Sequence, residues 1–236
     1  MYIIHISKAP EFKNEYLSLK TNQIVERNLR DLDELKDKKV VMITFDDGPD
    51  GKNTNKLLDE LEERDVKVTF FMLGSKIEKY PEVALRAYQA GHTVSNHSYS
   101  HKDLRKLKED KLLEEINKTN EILKELNIDN RYFRPPYGFA NDYVFNASNM
   151  SFIYWSVDPM DWRYKNKKVI YNRIMNKLTS GSIVLVHDIY ANSVKAIIDV
   201  IDELLDDDYA LISLEEAEAL GYINATEKKE YYSLKQ

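Results

Sequence analysis

Two adjacent carboxylates, Asp46 and Asp47, stand in the run Thr44-Phe45-Asp46-Asp47-Gly48-Pro49, directly after the apolar residues Val40-Val41-Met42-Ile43. The apolar run is largely β-branched and reads as a strand covered on both faces. Gly48-Pro49 ends it, since Gly permits unusual backbone angles and Pro donates no ladder bond. A continuing strand would send the two carboxylates to opposite faces, whereas a turn beginning there lets both face one cavity. Carboxylates so placed repel unless a cation or proton lies between them. A metal ion is therefore the first expectation, and an Asp-Asp-Gly-Pro surface turn the competing one.

The second group is Asn96-His97-Ser98-Tyr99-Ser100-His101, after a short strand at Thr93–Ser95. Two of the chain's five histidines fall in this HxxxH pair, which shares one face if the loop winds into a helical turn. His5 and His92 read as ordinary core or surface histidines. One carboxylate with two imidazoles makes a facial set of three ligands that leaves room for water, as hydrolytic zinc sites and non-haem iron sites require.

Three further groups follow apolar runs in the same way. Arg134-Pro135-Pro136-Tyr137-Gly138 follows Tyr132-Phe133; its prolines stiffen the turn and Gly138 allows a close backbone approach to a ligand. Asp158-Pro159-Met160-Asp161-Trp162 follows Phe152–Ser156, and Leu185-Val186-His187-Asp188 closes the run Ser182–Val186. Each of the three alone reads equally well as a rigid turn, a packed Trp or a core-capping His. Their joint occurrence at strand ends is what points to one site.

The elements that must position these groups alternate regularly. Candidate strands are Val40–Phe45, Val66–Met72, Thr93–Ser95, Tyr132–Phe133, Phe152–Ser156, Ser182–Val186 and Ala210–Ile212. Candidate helices lie near 53–64, 78–90, 107–126, 168–179, 193–206 and 214–220. Such βα units imply an α/β protein with a mainly parallel sheet, and seven of them suffice to close a barrel. Residues 1–38 read as a lead-in with one amphipathic helix carrying Ile24, Val25, Leu29, Leu32 and Leu35. Residues 39–222 hold the motifs, and 223–236 read as a polar C-terminal tail whose final stretch, Glu227 to Gln236, is expected to lack fixed structure.

At 236 residues, 43% hydrophobic and 31% charged, the chain fits one soluble domain with a large core. Its net charge of −6 gives no electrostatic reason to bind nucleic acid or an anionic membrane, and no apolar run approaches a membrane span. The absence of cysteine excludes disulfides and thiolate metal sites.

The five groups together resemble the polysaccharide deacetylases, the NodB-homology group or carbohydrate esterase family 4, over about residues 39–222. The likeness is greatest to the peptidoglycan N-acetylglucosamine and chitin deacetylases, with Ser95 standing where Gly is common and Met160 at a variable position. The resemblance implies a single-domain distorted (β/α) barrel of seven or eight units. It implies one divalent metal, zinc with cobalt or nickel as alternatives, held by Asp47, His97 and His101. Asp46 would be the general base, oriented by Arg134, and the backbone N–H of Tyr137 would stabilise the oxyanion. His187, its pKa raised by Asp161, would protonate the departing amine, with Trp162 and Leu185 as apolar walls of the substrate groove.

The implied reaction is hydrolytic N-deacetylation of N-acetylglucosamine units in a cell-wall polysaccharide, releasing acetate. O-deacetylation of acetylated xylan is the alternative on the same fold, then a non-catalytic glycan-binding domain, then a metal-free scaffold. The partner expected is an N-acetylated polysaccharide or oligosaccharide. A cell-wall substrate implies an extracellular or envelope location after removal of a leader or anchor. The start Met1–Ile6 shows no export signal, which makes a cytoplasmic location the alternative.

Overall fold

The β-branched runs do become strands. The computed structural model describes residues 27–234. Its strands are β1 (Lys39–Asp46), β2 (Thr69–Met72), β3 (Thr93–Asn96), β4 (Tyr132–Phe133), β5 (Ser151–Ile153), β6 (Ile183–His187), β7 (Tyr209–Leu211) and β8 (Glu230–Tyr231). Between them lie α1 (Asn53–Glu63), α2 (Gly74–Lys79), α3 (Pro81–Gln89), α4 (Glu109–Glu125), α5 (Asp142–Ala147), α6 (Lys167–Met175), α7 (Ala191–Asp206) and α8 (Leu214–Ala219).

All strand pairs are parallel, in the order β6-β1-β2-β3-β4-β5-β8, with β7 beside the first half of β1. The two ends of this curled sheet are bridged, Val157 to Val184 and Ser182 to Ser233. The result is the distorted barrel expected from the alternation of elements. β1 is its axis of order. Val41, Ile43 and Phe45 pack outward with Leu57 and Leu61 of α1, while Val40 and Met42 face inward with Phe71, Ile153 and Ile183. By the two-residue period of a strand, Thr44 and then Asp46 continue the inward face. Asp46 is thereby delivered to the mouth formed by the carboxyl ends of the strands.

Four expectations are corrected. The helix predicted over 78–90 is two helices, because Pro81 opens α3 as its first residue and holds Tyr80 out of helical geometry. α5 was not predicted; Asn141 caps it by accepting the Val144 N–H. The polar tail instead contains β8, whose backbone completes the edge of β5, with Leu234 buried behind it. Of the amphipathic helix drawn over residues 1–38, Ile24 and Val25 lie outside the described residues, as does His5. Leu29 and Leu32 lie on no helix, and the described part of this region, residues 27–38, forms only a 3-10 turn at Asp33–Leu35. Asp31 accepts the Asp33 N–H, a local bond that competes with helix formation, and Leu29 is exposed.

Candidate active site

Arg134 is completely buried, and every donor edge of its guanidinium is used. Nε donates to the Ile153 carbonyl, Nη2 to the Tyr154 carbonyl, and Nη1 to Thr44 Oγ1 and Asp46 Oδ1 at 2.7 and 2.8 Å. The ring of Phe71 lies 4.1 Å from its guanidinium carbon. Burial pushes the Asp46 carboxyl up and the Arg134 guanidinium down, and their ion pair pulls each back. Thr44 passes the link on by donating to the Val184 carbonyl. The inward face of β1 is thus tied to β5 and β6 through one arginine.

Asp47 leaves the strand in a left-handed conformation, φ 69°, which aspartate tolerates better than most residues. This turn brings both carboxylates to one side, so the left-handed residue is Asp47 itself. Gly48 serves space: a Cβ there would lie 2.6 Å from a carboxylate oxygen of Asp188. Asp47 Oδ1 is buried without a hydrogen-bond partner among the described residues. It lies 3.2 Å from His101 Nε2 and 3.6 Å from His97 Nε2.

The loop carrying the two histidines is not the helical turn that their spacing suggested. Ser98 and His101 are both left-handed, at φ 70° and 59°. Side chains replace the missing helical bonds: Asn96 Oδ1 accepts the Ser98 N–H, and Ser98 Oγ accepts the His101 N–H. Glu115 on α4 braces the loop from outside by accepting the Ser100 N–H and hydroxyl and the Lys102 ammonium.

His97 donates through Nδ1 to the Arg134 carbonyl at 2.7 Å, which fixes the tautomer that leaves Nε2 as a free lone pair. Burial holds its pKa down to about 3, so the ring is neutral. One ligand atom from each of Asp47, His97 and His101 lies within 4.8 Å of the others. Ligands about 2.05 Å from one tetrahedral ion stand roughly 3.3 Å apart, and the two separations above bracket that value. The orphaned Asp47 oxygen and the nitrogen and oxygen donor set both fit a divalent cation.

On the far side of this cluster His187 is held at Nδ1 by Asp161 Oδ1 at 2.7 Å. The same carboxylate accepts the His187 and Trp162 backbone N–H groups. Burial opposes protonation of His187, but the Asp161 bond and charge, with Asp46 and Asp47 behind them, raise its pKa to about 9. Its Nε2 lies 3.9 Å from Asp47 Oδ2, so His187, the cluster and Asp46 adjoin one another.

Tyr137 is left-handed at φ 61° and sets its ring edge-on to His101, with centroids 4.4 Å apart. The two bonds of its turn are donated by Gly138 and Phe139, and neither uses the Tyr137 N–H. The close approach that Gly138 permits is to an indole and not to a ligand: a Cβ there would meet Trp155 at 2.7 Å. Trp162 is half exposed at the rim and Leu185 buried on β6.

The structure therefore brings Asp46, Asp47, His97, His101, Arg134, Tyr137, Asp161 and His187 to one mouth. Sequence reasoning gave no role to Glu115, Tyr190 or Asp188. The ring of Tyr190 lies 5.9 Å from that of His187. Asp188, fully buried, accepts the Thr54 hydroxyl, whose oxygen accepts the Asp50 N–H, and so fastens the end of β6 to the turn after β1. Burial raises the Asp188 pKa to about 7. Its position beside His187 was the one available signal.

The family profile described as polysaccharide deacetylase matches residues 33–151. The peptidoglycan-N-acetylmuramic acid deacetylase PdaC of Bacillus subtilis is 38% identical over 212 residues, which is 89% of this chain and 44% of PdaC. A peptidoglycan-N-acetylglucosamine deacetylase of Bacillus cereus is 37% identical over 169 residues, 70% of this chain and 62% of that protein. A solved structure of the Bacillus subtilis PdaC superposes with a TM-score of 0.76 at 39% identity, covering 78% of this chain and 92% of that one. The chain thus spans about half the length of these curated relatives.

Proposed function

This chain belongs to the polysaccharide deacetylase family, and we propose that it removes N-acetyl groups from amino sugars of a cell-wall polysaccharide by metal-dependent hydrolysis. The observation that carries the reading is the pairing of Asp46 with Arg134 on one side of the Asp47, His97 and His101 cluster, and of His187 with Asp161 on the other. A zinc ion held by those three residues would supply Lewis acidity to the attacking water and to the amide carbonyl.

The chain's own residues do the rest. Asp46 has one oxygen bound by Arg134 and the other 3.6 Å from His97 Nε2, facing the cluster, where it takes the proton of the attacking water. Arg134 fixes its orientation. The Tyr137 N–H donates to the carbonyl oxygen as negative charge develops, a contact typically worth about 3–4 kcal/mol of barrier. His187, protonated at neutral pH, gives its Nε2 proton to the departing amine. Trp162 and Leu185 line the sugar and acetyl positions. The products are acetate and a free amino sugar.

An amine leaves only when protonated, so the Asp161–His187 pair favours amide over ester substrates. The relatives' names divide between N-acetylmuramic acid and N-acetylglucosamine, and this reading covers both sugars. A cell-wall substrate also implies action outside the cytoplasmic membrane; no described helix is long and apolar enough to cross one. The test is acetate release from N-acetylglucosamine oligomers and from peptidoglycan, using metal-stripped protein with and without zinc, beside Asp46→Asn. Release restored by zinc and abolished by the substitution is expected. Tight zinc binding with no acetate from either substrate would overturn the reading.

A further inference from the structure

An exposed strip of side chains leads away from the candidate metal cluster and ends on a fixed cation. His101 touches the Tyr137 ring; the Tyr137 and Phe139 centroids are 5.6 Å apart; and the Arg105 guanidinium carbon lies 4.0 Å above the Phe139 ring. Tyr137 is 55% and Phe139 44% exposed, so two aromatic rings stand open to water beside the site. Isolated exposed aromatics need no explanation, but a contiguous pair adjoining a site of chemistry marks a recognition surface.

Arg105 is built into place. Asp103 takes its Nε and Nη2 in a two-point bond at 2.9 and 2.8 Å and also accepts its backbone N–H. Among the described residues nothing accepts from Nη1. The surrounding loop, Lys102 to Lys108, holds four basic residues against the one acidic residue Asp103, in a chain whose net charge is −6. Lys102 is taken by Glu115, and Lys106 lies 3.4 Å from Asp103. The local charge is therefore opposite in sign to that of the whole protein, at the end of an aromatic strip.

We propose that Arg105, Phe139 and Tyr137 form an outer subsite for a glycan unit bearing a carboxylate. The sugar's apolar face would lie on the two rings, and its acidic substituent would meet the remaining donors of Arg105. This rests on the deacetylase reading and extends it by assigning the charge of a unit beyond the one that reacts. The carboxylate has two sources in a peptidoglycan strand: the lactyl group of muramic acid, or the stem peptide attached to it.

The experiment compares three glycans: a neutral N-acetylglucosamine tetramer, strands with free lactyl carboxylates, and strands carrying stem peptides. Full-chain protein and Arg105→Gln are titrated calorimetrically with each, and kcat and KM are measured where acetate is released. Arg105→Gln is expected to lower affinity for a carboxylate-bearing strand, relative to the neutral tetramer, by about fivefold, with the rate effect in KM. Raising the salt should close the same gap in the wild type. The arm that responds identifies the carboxylate. Equal loss on all three glycans would reduce Arg105 to a brace for Phe139 and overturn the proposal, as would no loss on any. Absence of acetate with the affinity ratio intact would fail the deacetylase reading alone. Phe139→Ala, expected to weaken all three, reports on the stacking surface separately.

Discussion

Two buried polar clusters sit at opposite ends of the strands, and each joins an arginine to a carboxylate beside a histidine withdrawn from solvent. At the end where β2 and β3 begin, Arg30 grips Glu216 through Nε and Nη2 at 3.0 and 2.8 Å and donates to the Leu211 carbonyl. Arg27 donates to the Tyr88 and His92 carbonyls and pairs with Glu215. His92 accepts the Val68 N–H through Nδ1, and Glu216 also completes the capping box of α8. Each group there is committed to joining segments of chain. At the other end Asp47 keeps an unpartnered oxygen, and His97 and His101 keep Nε2 turned toward it. Five of the nine left-handed non-glycine residues described, Asp47, Ser98, His101, Tyr137 and Met160, lie in the loops at that mouth. Burial and charge are common to both ends. Unused hydrogen-bonding capacity and costly backbone mark the one with chemistry.

The sharpest way to break this contrast is to remove one histidine from each end. His187→Ala should lower the deacetylation rate by about 10²–10⁴, the usual contribution of a positioned acid. His92→Gln keeps an acceptor for Val68 and should leave the rate of folded protein within about twofold, because His92 touches nothing at the mouth. A tenfold loss in folded His92→Gln would mean the two ends are coupled.

Stability comes next in size. Arg134→Met strands the Asp46 carboxylate and three further acceptors in the interior, and should cost about 3–5 kcal/mol in urea unfolding. Arg30→Met breaks a two-point pair, against the single bond between Arg134 and Asp46, but one that water partly reaches, and about 1–2 kcal/mol is expected. Equal costs would show that the two-point geometry at Arg30 offsets the deeper burial of Arg134, and that burial does not set the order of these pairs.

The same contrast explains what could be read in the sequence. Each of the seven candidate strands overlaps an observed one, because its apolar run is buried, although residues 66–68 and 154–156 lie outside β2 and β5. The site residues were legible because each follows such a strand, and a parallel barrel gathers strand ends. The winding of His97–His101 was not, since side-chain bonds from Asn96, Ser98 and Glu115 shape it, and Glu115 comes from a different element. Gly138 was read toward a ligand because its neighbour Trp155 lies 17 residues further on. The opposite cluster was hidden for the same reason: Arg27 and Arg30 precede the first strand, and their partners come almost 190 residues later. β8 was missed because its residues are polar and only the open edge of β5 makes them a strand.

The finest test uses protons. Burial first, and then the nearby charges of Lys67, Arg30, Arg27 and Arg86, lower the His92 pKa from 6.5 to about 3. Between those two values the unfolded chain holds a proton that the folded one refuses. Stability therefore rises with pH across that window. The contribution of His92 is whole above about pH 6.5 and is lost as the pH falls toward 3. In His92→Gln this loss disappears, and the difference from wild type should change by roughly 2 kcal/mol between pH 7 and pH 5. His97 carries the same depression at the other end, again from burial first. The subtraction removes it from the comparison as long as both proteins are measured metal-free. Urea unfolding at pH 7, 6 and 5 is the measurement. Parallel pH profiles for the two proteins would mean that folding leaves the His92 pKa at its unfolded value, and that burial does not hold this ring neutral.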